Sequence, residues 1–134
     1  MKNKTPFSDS EIIMFYNIVY YVETEVLPQK HKGYSIKKGF SKFCHEKNIE
    51  LCPDMIFSNN FGENKNIIIF KDSKNNQVGS LFAHLRNSIS HAKVIKKKNY
   101  FIFEDWNRKK LTMKACLKAN ILNDVFEALE SSKD

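Results

Sequence analysis

The stretch from Leu81 to Ala92 constrains the fold more than any other part of the sequence. On a helix of about 100° per residue, one arc carries only apolar side chains, those of Leu81, Leu85, Ile89 and Ala92. A second arc is polar. It carries His84, Asn87 and His91, which stand at positions i, i+3 and i+7. The pattern predicts the last turns of a buried helix that ends in a polar cluster.

Arg86 lies outside that polar arc. It stands about 140° around a straight helix from His91, so the two side chains cannot readily meet in one chain. They can meet if the helix ends between them, or if a second copy of the chain supplies one of them. A twofold axis would bring two Arg86 and two His91 side chains into one cleft.

The same stretch resembles the signature of the HEPN superfamily, a set of helical proteins many of which are ribonucleases. The residues that carry the resemblance are Leu85-Arg86-Asn87-Ser88-Ile89-Ser90-His91. The HEPN motif is an Arg, four to six residues and a His, commonly with Asn directly after the Arg. The resemblance covers roughly Gly79 to Leu129. It implies metal-independent endoribonuclease activity from Arg86 and His91, usually in a homodimer whose two motifs face each other across the twofold axis. Asn87 is the third candidate catalytic residue.

The chemistry of these three side chains also suits RNA cleavage without a metal. Imidazole changes charge near neutral pH, so His91 can take the proton from a ribose 2′-hydroxyl. The planar guanidinium of Arg86 can clamp the charge that develops on the phosphate. Asn87 shares a helix face with His91 and can orient it. In the structural alternative, Arg86 pairs with an acidic residue while Asn87 and His91 cap the helix end.

Positive charge elsewhere in the chain favours a polyanionic partner. The sequence has 22 Lys and Arg residues against 15 Asp and Glu, a formal net charge of +7. This balance favours nucleic acid before a membrane surface. The candidate RNA-binding residues are His84, Lys96, Lys97, Lys98, Arg108, Lys109 and Lys110. The alternatives are a structural role for His84 and an ordinary solvated surface for the two basic clusters. Tyr100 and Trp106 can stack on bases, but core or dimer packing is the first expectation for both.

Other classes of function are disfavoured. No run reaches the roughly 18 to 20 apolar residues of a membrane span, and the basic, polar N-terminus does not resemble a signal peptide. A cytoplasmic protein is therefore expected. The three cysteines, Cys44, Cys52 and Cys116, have no paired short spacing, so we expect free thiols, no bound metal and no cofactor.

The first two thirds of the chain have a mostly helical pattern. Ser8 and Glu11 form a capping-box pattern for a helix over 9–27, which Pro28 ends. A second helix is expected after Ser35. Within 51–61 a turn is expected to lead into a short helix that contains residues 55–57. The run 66–70 fits either a buried strand or a helical segment, because three consecutive Ile carry no clear period. A polar loop then leads to the motif helix, whose expected N-cap is Ser80.

The last third predicts a hairpin and a long helix. Val94-Ile95 and 100–106 have the pattern of two short strands around a basic turn. Apolar residues then recur at every fourth position, and this i+4 row predicts a final helix over 111–129. They are Met113, Leu117, Ile121, Val125 and Leu129. The predicted fold is an all-α, HEPN-like bundle of four to five helices with a small β-hairpin before the C-terminal helix. It is one domain over 1–134, with a loose tail over 1–7.

Three functions remain open from the sequence. The first is a HEPN-type RNase, with a role in a toxin–antitoxin or anti-phage system taken from the resemblance alone. The second is a non-catalytic module that binds RNA or a nucleotide in the same cleft. The third is a structural protein, such as the helical partner of a nucleotidyltransferase. A nuclease needs Arg86 and His91 at a shared, solvent-reachable cleft, whereas a structural role would hold them in bonds within the chain.

Overall fold

The computed structural model describes residues 6–28, 39–53, 65–71 and 77–132 and divides them between helices and one sheet. The helical elements are α1 (Asp9–Tyr21), a π-helical turn that continues it (Val22–Val26), α2 (Ser41–Glu46), α3 (Gln77–Ser90) and α4 (Ala119–Glu130). The strands are β1 (Glu50–Pro53), β2 (Ile67–Phe70), β3 (Val94–Lys97), β4 (Tyr100–Asn107) and β5 (Lys110–Lys118). The prediction of an all-α bundle is therefore wrong, because the fold is mixed α/β.

The strands form a mixed sheet in the order β1-β2-β5-β4-β3. β1 and β2 pair in parallel, and the other neighbouring strands pair antiparallel. The predicted hairpin is present as β3 and β4, but it forms one side of this larger sheet. The Ile-rich run that the sequence left open is strand β2, whose four residues are all buried between β1 and β5.

The first part of the predicted final helix is strand β5. Met113 and Leu117 are four residues apart, a spacing that shares one face of a helix and equally one face of a strand, whose side chains repeat every two residues. Ala115, between them, is buried in the same core cluster. The period of two is therefore the one this segment adopts. The helix begins only at Ala119, where the i+4 row continues through α4.

The main core lies between the helices and one face of the sheet. The ring of Phe15 in α1 meets Phe101 and Phe103 of β4 edge-on, with centroids 5.6 and 6.0 Å apart. Leu81 of α3 and Leu122 of α4 are fully buried in the same cluster. A smaller cluster on the other face of the sheet contains Ile67, Ile69, Ile102 and Cys116. This packing holds α3 against β4 and fixes where its polar end lies.

The predicted helix starts are partly confirmed. The capping box is present, with the Ser8 Oγ accepting from the Glu11 backbone N–H at 3.2 Å and Glu11 Oε1 accepting from the Ser8 N–H at 2.8 Å. The helical run from Asp9 to Val26 nearly fills the predicted range. Ser80 is not an N-cap, because α3 begins at Gln77 and Ser80 is buried inside the helix.

Some predictions fall outside the described ranges. They are the start of the second helix at Ser35, the short helix over 55–57, part of the loop before α3 and most of the N-terminal tail. Among the described residues, no helix has both the length and the apolar character of a membrane span.

Candidate functional site

The C-terminal end of α3 fixes the position of His91. The backbone N–H of Lys93 donates to the carbonyl of Ser88 at 2.7 Å, and the N–H of Ala92 donates to the carbonyl of Ile89 at 3.1 Å. These two bonds, with Ala92 in the left-handed region at φ 56°, form a Schellman motif. His91 is the C-cap residue of that motif, and its own N–H still donates to the Asn87 carbonyl at 2.9 Å.

His91 lies at a cleft of about 440 Å³ between α3 and the paired strands β4 and β5. We call it the α3–β5 cleft. The described residues that line it are Lys71, Ser80, Ala83, His84, Asn87, His91, Asp105, Trp106, Asn107, Lys110 and Thr112. Three positions predicted from the sequence on the motif helix therefore share it: His84, Asn87 and His91. Of the predicted basic residues, Lys110 is in the lining.

Asp105 organises the buried wall of the cleft. Its Oδ2 lies 2.8 Å from His84 Nδ1 and accepts a hydrogen bond from Asn87 Nδ2 at 3.3 Å. His84 Nε2 lies 2.8 Å from the Lys71 carbonyl, which can only accept, so Nε2 carries a hydrogen. His84 Nδ1 and the Asp105 carboxyl share one hydrogen bond. His84 and Asp105 are only 9% and 6% exposed, so this wall of the cleft is largely buried.

Arg86 lies outside the described lining of the cleft. Its Nε donates to Glu23 Oε1 at 2.6 Å, and its Nη2 contacts the same oxygen. Its Nη1 donates to Asn87 Oδ1 at 3.0 Å. Asn87 therefore bridges Arg86 to Asp105. The regular helix ends between Arg86 and His91, yet it does not bring the two side chains to one cleft within the chain. The ion pair that the structural alternative predicted for Arg86 is present.

The two basic clusters lie at opposite ends of β4. Arg108 and Lys109 form the turn into β5, next to Lys110 and the α3–β5 cleft. The cluster 96–98 lies at the other end of the strand, roughly 23 Å away at about 3.3 Å per residue. The hairpin therefore does not hold both clusters at one opening.

Lys96 has a structural environment at that distant end. Its Nζ lies 3.0 Å from Glu11 Oε2 and 5.6 Å from the centroid of the Phe101 ring. Burial raises the pKa of the Glu11 carboxyl, but hydrogen bonds from Ser8 and Lys96 and the Lys96 charge outweigh it, so that pKa lies below its usual value. Lys96 thus ties β3 to the start of α1.

Several lining residues were not predicted from the sequence. Lys71 follows β2 and could not be placed near the motif while that run was unassigned. Asp105 could have been found from the sequence, because strand alternation places this acidic residue on the same face as Phe101 and Phe103. Trp106, expected in a core or an interface, is 43% exposed at the cleft. Tyr100 is half-buried against the smaller cluster.

A register shift in the sheet explains why Asp105 and Trp106 both reach the cleft. Asp105 pairs with Met113 but Trp106 pairs with Leu111, so Thr112 is an extra residue in β5. Its hydroxyl donates to the Asp105 carbonyl at 2.9 Å. A bulge of this kind breaks the strict alternation of side chains and turns neighbouring residues toward one surface.

The described residues contain no group of three or more His, Cys, Asp or Glu side chains placed to hold a metal ion. The three cysteines all lie within the described residues and form no disulfide bond, and burial raises the pKa of Cys44 to about 12. The lining of the cleft supplies imidazole, amide, carboxylate, hydroxyl, ammonium and indole groups.

The structure places the Arg, the four intervening residues and the His of the HEPN-like motif at the end of a buried helix, with Asn87 directly after Arg86. The chain matches the family model described as HEPN pEK499 p136 over residues 3–132, nearly its whole length. It belongs to that family, and the resemblance drawn from the motif is confirmed. No curated protein and no solved structure shows a significant match.

Proposed function

We propose that the protein binds RNA in the α3–β5 cleft and cleaves it without a metal ion. The observation that carries the proposal is the position of His91, which the end of α3 fixes at a cleft that also contains Lys71 and Lys110. Family membership supports it, since HEPN domains are often ribonucleases. The formal net charge of +7 favours a polyanionic ligand.

The reaction needs two side chains of the protein, His91 and Arg86, and proton exchange with solvent. His91 takes the proton of a ribose 2′-hydroxyl, and the 2′-oxygen attacks the adjacent phosphorus. The bond from phosphorus to the 5′-oxygen breaks, and that oxygen takes up a proton from solvent. Arg86 stabilises the charge that builds on the non-bridging oxygens. The products are a 2′,3′-cyclic phosphate and a 5′-hydroxyl end.

A homodimer supplies the arginine in this scheme. Within one chain Arg86 lies beside the cleft, held by Glu23, so the clamp on the phosphate comes from Arg86 of the partner subunit. The exposed face of α1 is the surface we assign to the contact, because Tyr16 and Tyr20 are 65% and 59% exposed and stack on each other at 6.2 Å. Exposed aromatic patches of this kind commonly mark protein interfaces. Glu23 follows Tyr20 by three residues and therefore lies on the same helical face. Because Glu23 is the partner of Arg86, this face continues to Arg86.

One observation favours a second function, a non-catalytic RNA-binding module. The Arg86 guanidinium is bound on two sides, by Glu23 and by Asn87, and a phosphate has to compete with both. In this case the cleft holds RNA and no bond is cut. A role beside an antitoxin or a nucleotidyltransferase stays a prediction from the resemblance.

Incubation of the purified protein with total RNA in EDTA tests the proposal, with sedimentation at tens of micromolar as the parallel measurement. We expect cleavage that EDTA does not reduce, and a dimer. Tight RNA binding without cleavage would replace the nuclease with the binding module. If the protein neither binds nor cleaves RNA, both the nuclease and the binding module are contradicted.

A further inference from the structure

Trp106 is the only tryptophan in the sequence, and it lies at the candidate site. Its indole is 43% exposed at the α3–β5 cleft, although a large aromatic side chain is usually buried when the core can take it. The indole Nε1–H donates to Glu104 Oε1 at 2.9 Å, which holds the ring in one orientation. The exposed ring is therefore a fixed apolar surface in a polar cleft.

The surroundings of Trp106 resemble a platform for a nucleotide. Lys71 and Lys110 line the same cleft and are both exposed, so they can meet phosphate oxygens. His91 lies in the same lining. The volume of about 440 Å³ falls within the usual range for small-ligand sites of about 300–1,000 Å³. One nucleotide with its phosphate matches this combination of a flat apolar ring, two cations and an imidazole.

Stacking on Trp106 would select unpaired RNA. A base inside a duplex has both faces covered by its neighbours, so an indole can reach it only after unstacking. An unpaired base offers a free face, and stacking on it tolerates any sequence. Direct hydrogen bonding to base edges is less suited to this wall, because His84 and Asn87 are each already bonded to Asp105.

We propose that the α3–β5 cleft takes single-stranded RNA by stacking one unpaired base on Trp106 while Lys71 and Lys110 contact its phosphates. The inference rests on the proposed function and adds its substrate class. The bulge at Thr112 makes this stacking possible, because it turns Trp106 toward the cleft that also contains His91.

Intrinsic fluorescence tests the stacking directly, because no other indole contributes. The probe is a 12-residue 2′-fluoro RNA, which lacks the attacking hydroxyl and stays intact. We expect the single strand to quench Trp106 fluorescence, and the same sequence in a duplex to leave it unchanged. Anisotropy of an end-labelled probe measures binding independently.

Two substitutions extend the test. Trp106→Ala should weaken binding of the single strand roughly five- to 150-fold, the equivalent of about 1–3 kcal/mol for one stacked base. Trp106→Phe keeps a stacking ring and should retain most of the affinity. Ile95→Ala is the matched control, since Ile95 is also an exposed apolar residue but lies on β3, away from the cleft. Circular dichroism checks that each variant is folded.

The outcomes separate this inference from the function on which it rests. Binding seen by anisotropy without quenching, and undiminished by Trp106→Ala, would overturn the stacking site and leave an RNA-binding protein. Equal binding and quenching with duplex would overturn the preference for unpaired RNA. If no probe binds at all, both proposals fail.

Discussion

The Arg86 guanidinium is paired with the Glu23 carboxylate, with Nε 2.6 Å from Oε1. Glu23 lies in the π-helical turn Val22–Val26 that continues α1, and π turns occur often at functional sites. Side-chain exposures of 30% for Arg86 and 42% for Glu23 leave the pair open to solvent and to a competing anion. The first prediction concerns that competition.

Glu23→Gln should raise the affinity for single-stranded RNA about two- to fivefold. Exposed ion pairs contribute at most about 1 kcal/mol, so a phosphate gains no more than this when the carboxylate no longer competes for Arg86. Anisotropy with the 2′-fluoro probe measures the effect. Glu25→Gln, on the same turn, removes the same charge and is the control. An equal gain from both variants would point to net charge alone, and a loss with Glu23→Gln would contradict the competition.

The salt dependence of binding should follow the cleft lysines. Replacing Lys71 and Lys110 with Ala should reduce the slope of log affinity against log salt by about 0.7 for each phosphate that the protein no longer neutralises. Replacing Lys97 and Lys98 removes the same charge at the far end of β4 and should leave the slope nearly unchanged. A larger effect from the second pair would mean that RNA follows the basic turn between β3 and β4, one of the two clusters that the sequence named, and not the cleft.

Ala92→Gly should stabilise the protein by about 0.5–1 kcal/mol. Ala92 has φ 56°, and a left-handed conformation costs a residue with a Cβ roughly 1–2 kcal/mol. The greater freedom of glycine in the unfolded chain cancels about 0.4–1 kcal/mol of that gain. Urea denaturation measures the difference. Ser90→Gly, two residues earlier in regular helix, should instead destabilise. No gain at position 92 would contradict the Schellman geometry that positions His91.

His84→Ala should destabilise the fold by about 3 kcal/mol. The variant removes the closer partner of the buried Asp105 carboxyl, which keeps only the 3.3 Å hydrogen bond from Asn87, and it removes the His84 donor from the Lys71 carbonyl. The free energy of unfolding in urea gives the value. His45→Ala is the control, because His45 is exposed on α2 and should change the stability by less than about 0.5 kcal/mol. A similarly small change at His84 would remove the structural role from this histidine.

The sequence predicted the local elements better than the way they combine. The capping box at Ser8 and the hairpin before the last helix are both present, since each depends on neighbours in the chain. The sheet was missed because β2 and β5 pair residues that are far apart in sequence, such as Ile67 with Cys116. The spacing of Met113 and Leu117 fits a strand as well as a helix, so pattern alone could not decide it.

Apart from Lys110, the cleft residues that the sequence placed in the candidate site all lie on α3 or at its C-terminal end. His84, Asn87 and His91 follow from one helical period, and they share the cleft. Asp105 and Trp106 reach it through a bulge that depends on the pairing of β4 with β5. The Glu23–Arg86 pair joins residues 63 positions apart, a contact that no local pattern encodes.

The central claim is that His91 is the base of a metal-independent cleavage. The measurement is cleavage of a labelled single-stranded RNA in EDTA by the wild type and by His91→Ala, with analysis of the product ends. We expect 2′,3′-cyclic phosphate and 5′-hydroxyl ends from the wild type, and a loss of about 10² to 10⁴ in rate from the variant. Arg86→Ala should lose a similar factor, and Asn87→Ala less. A requirement for a divalent metal, 5′-phosphate ends, or full activity in a folded His91→Ala variant would contradict the claim.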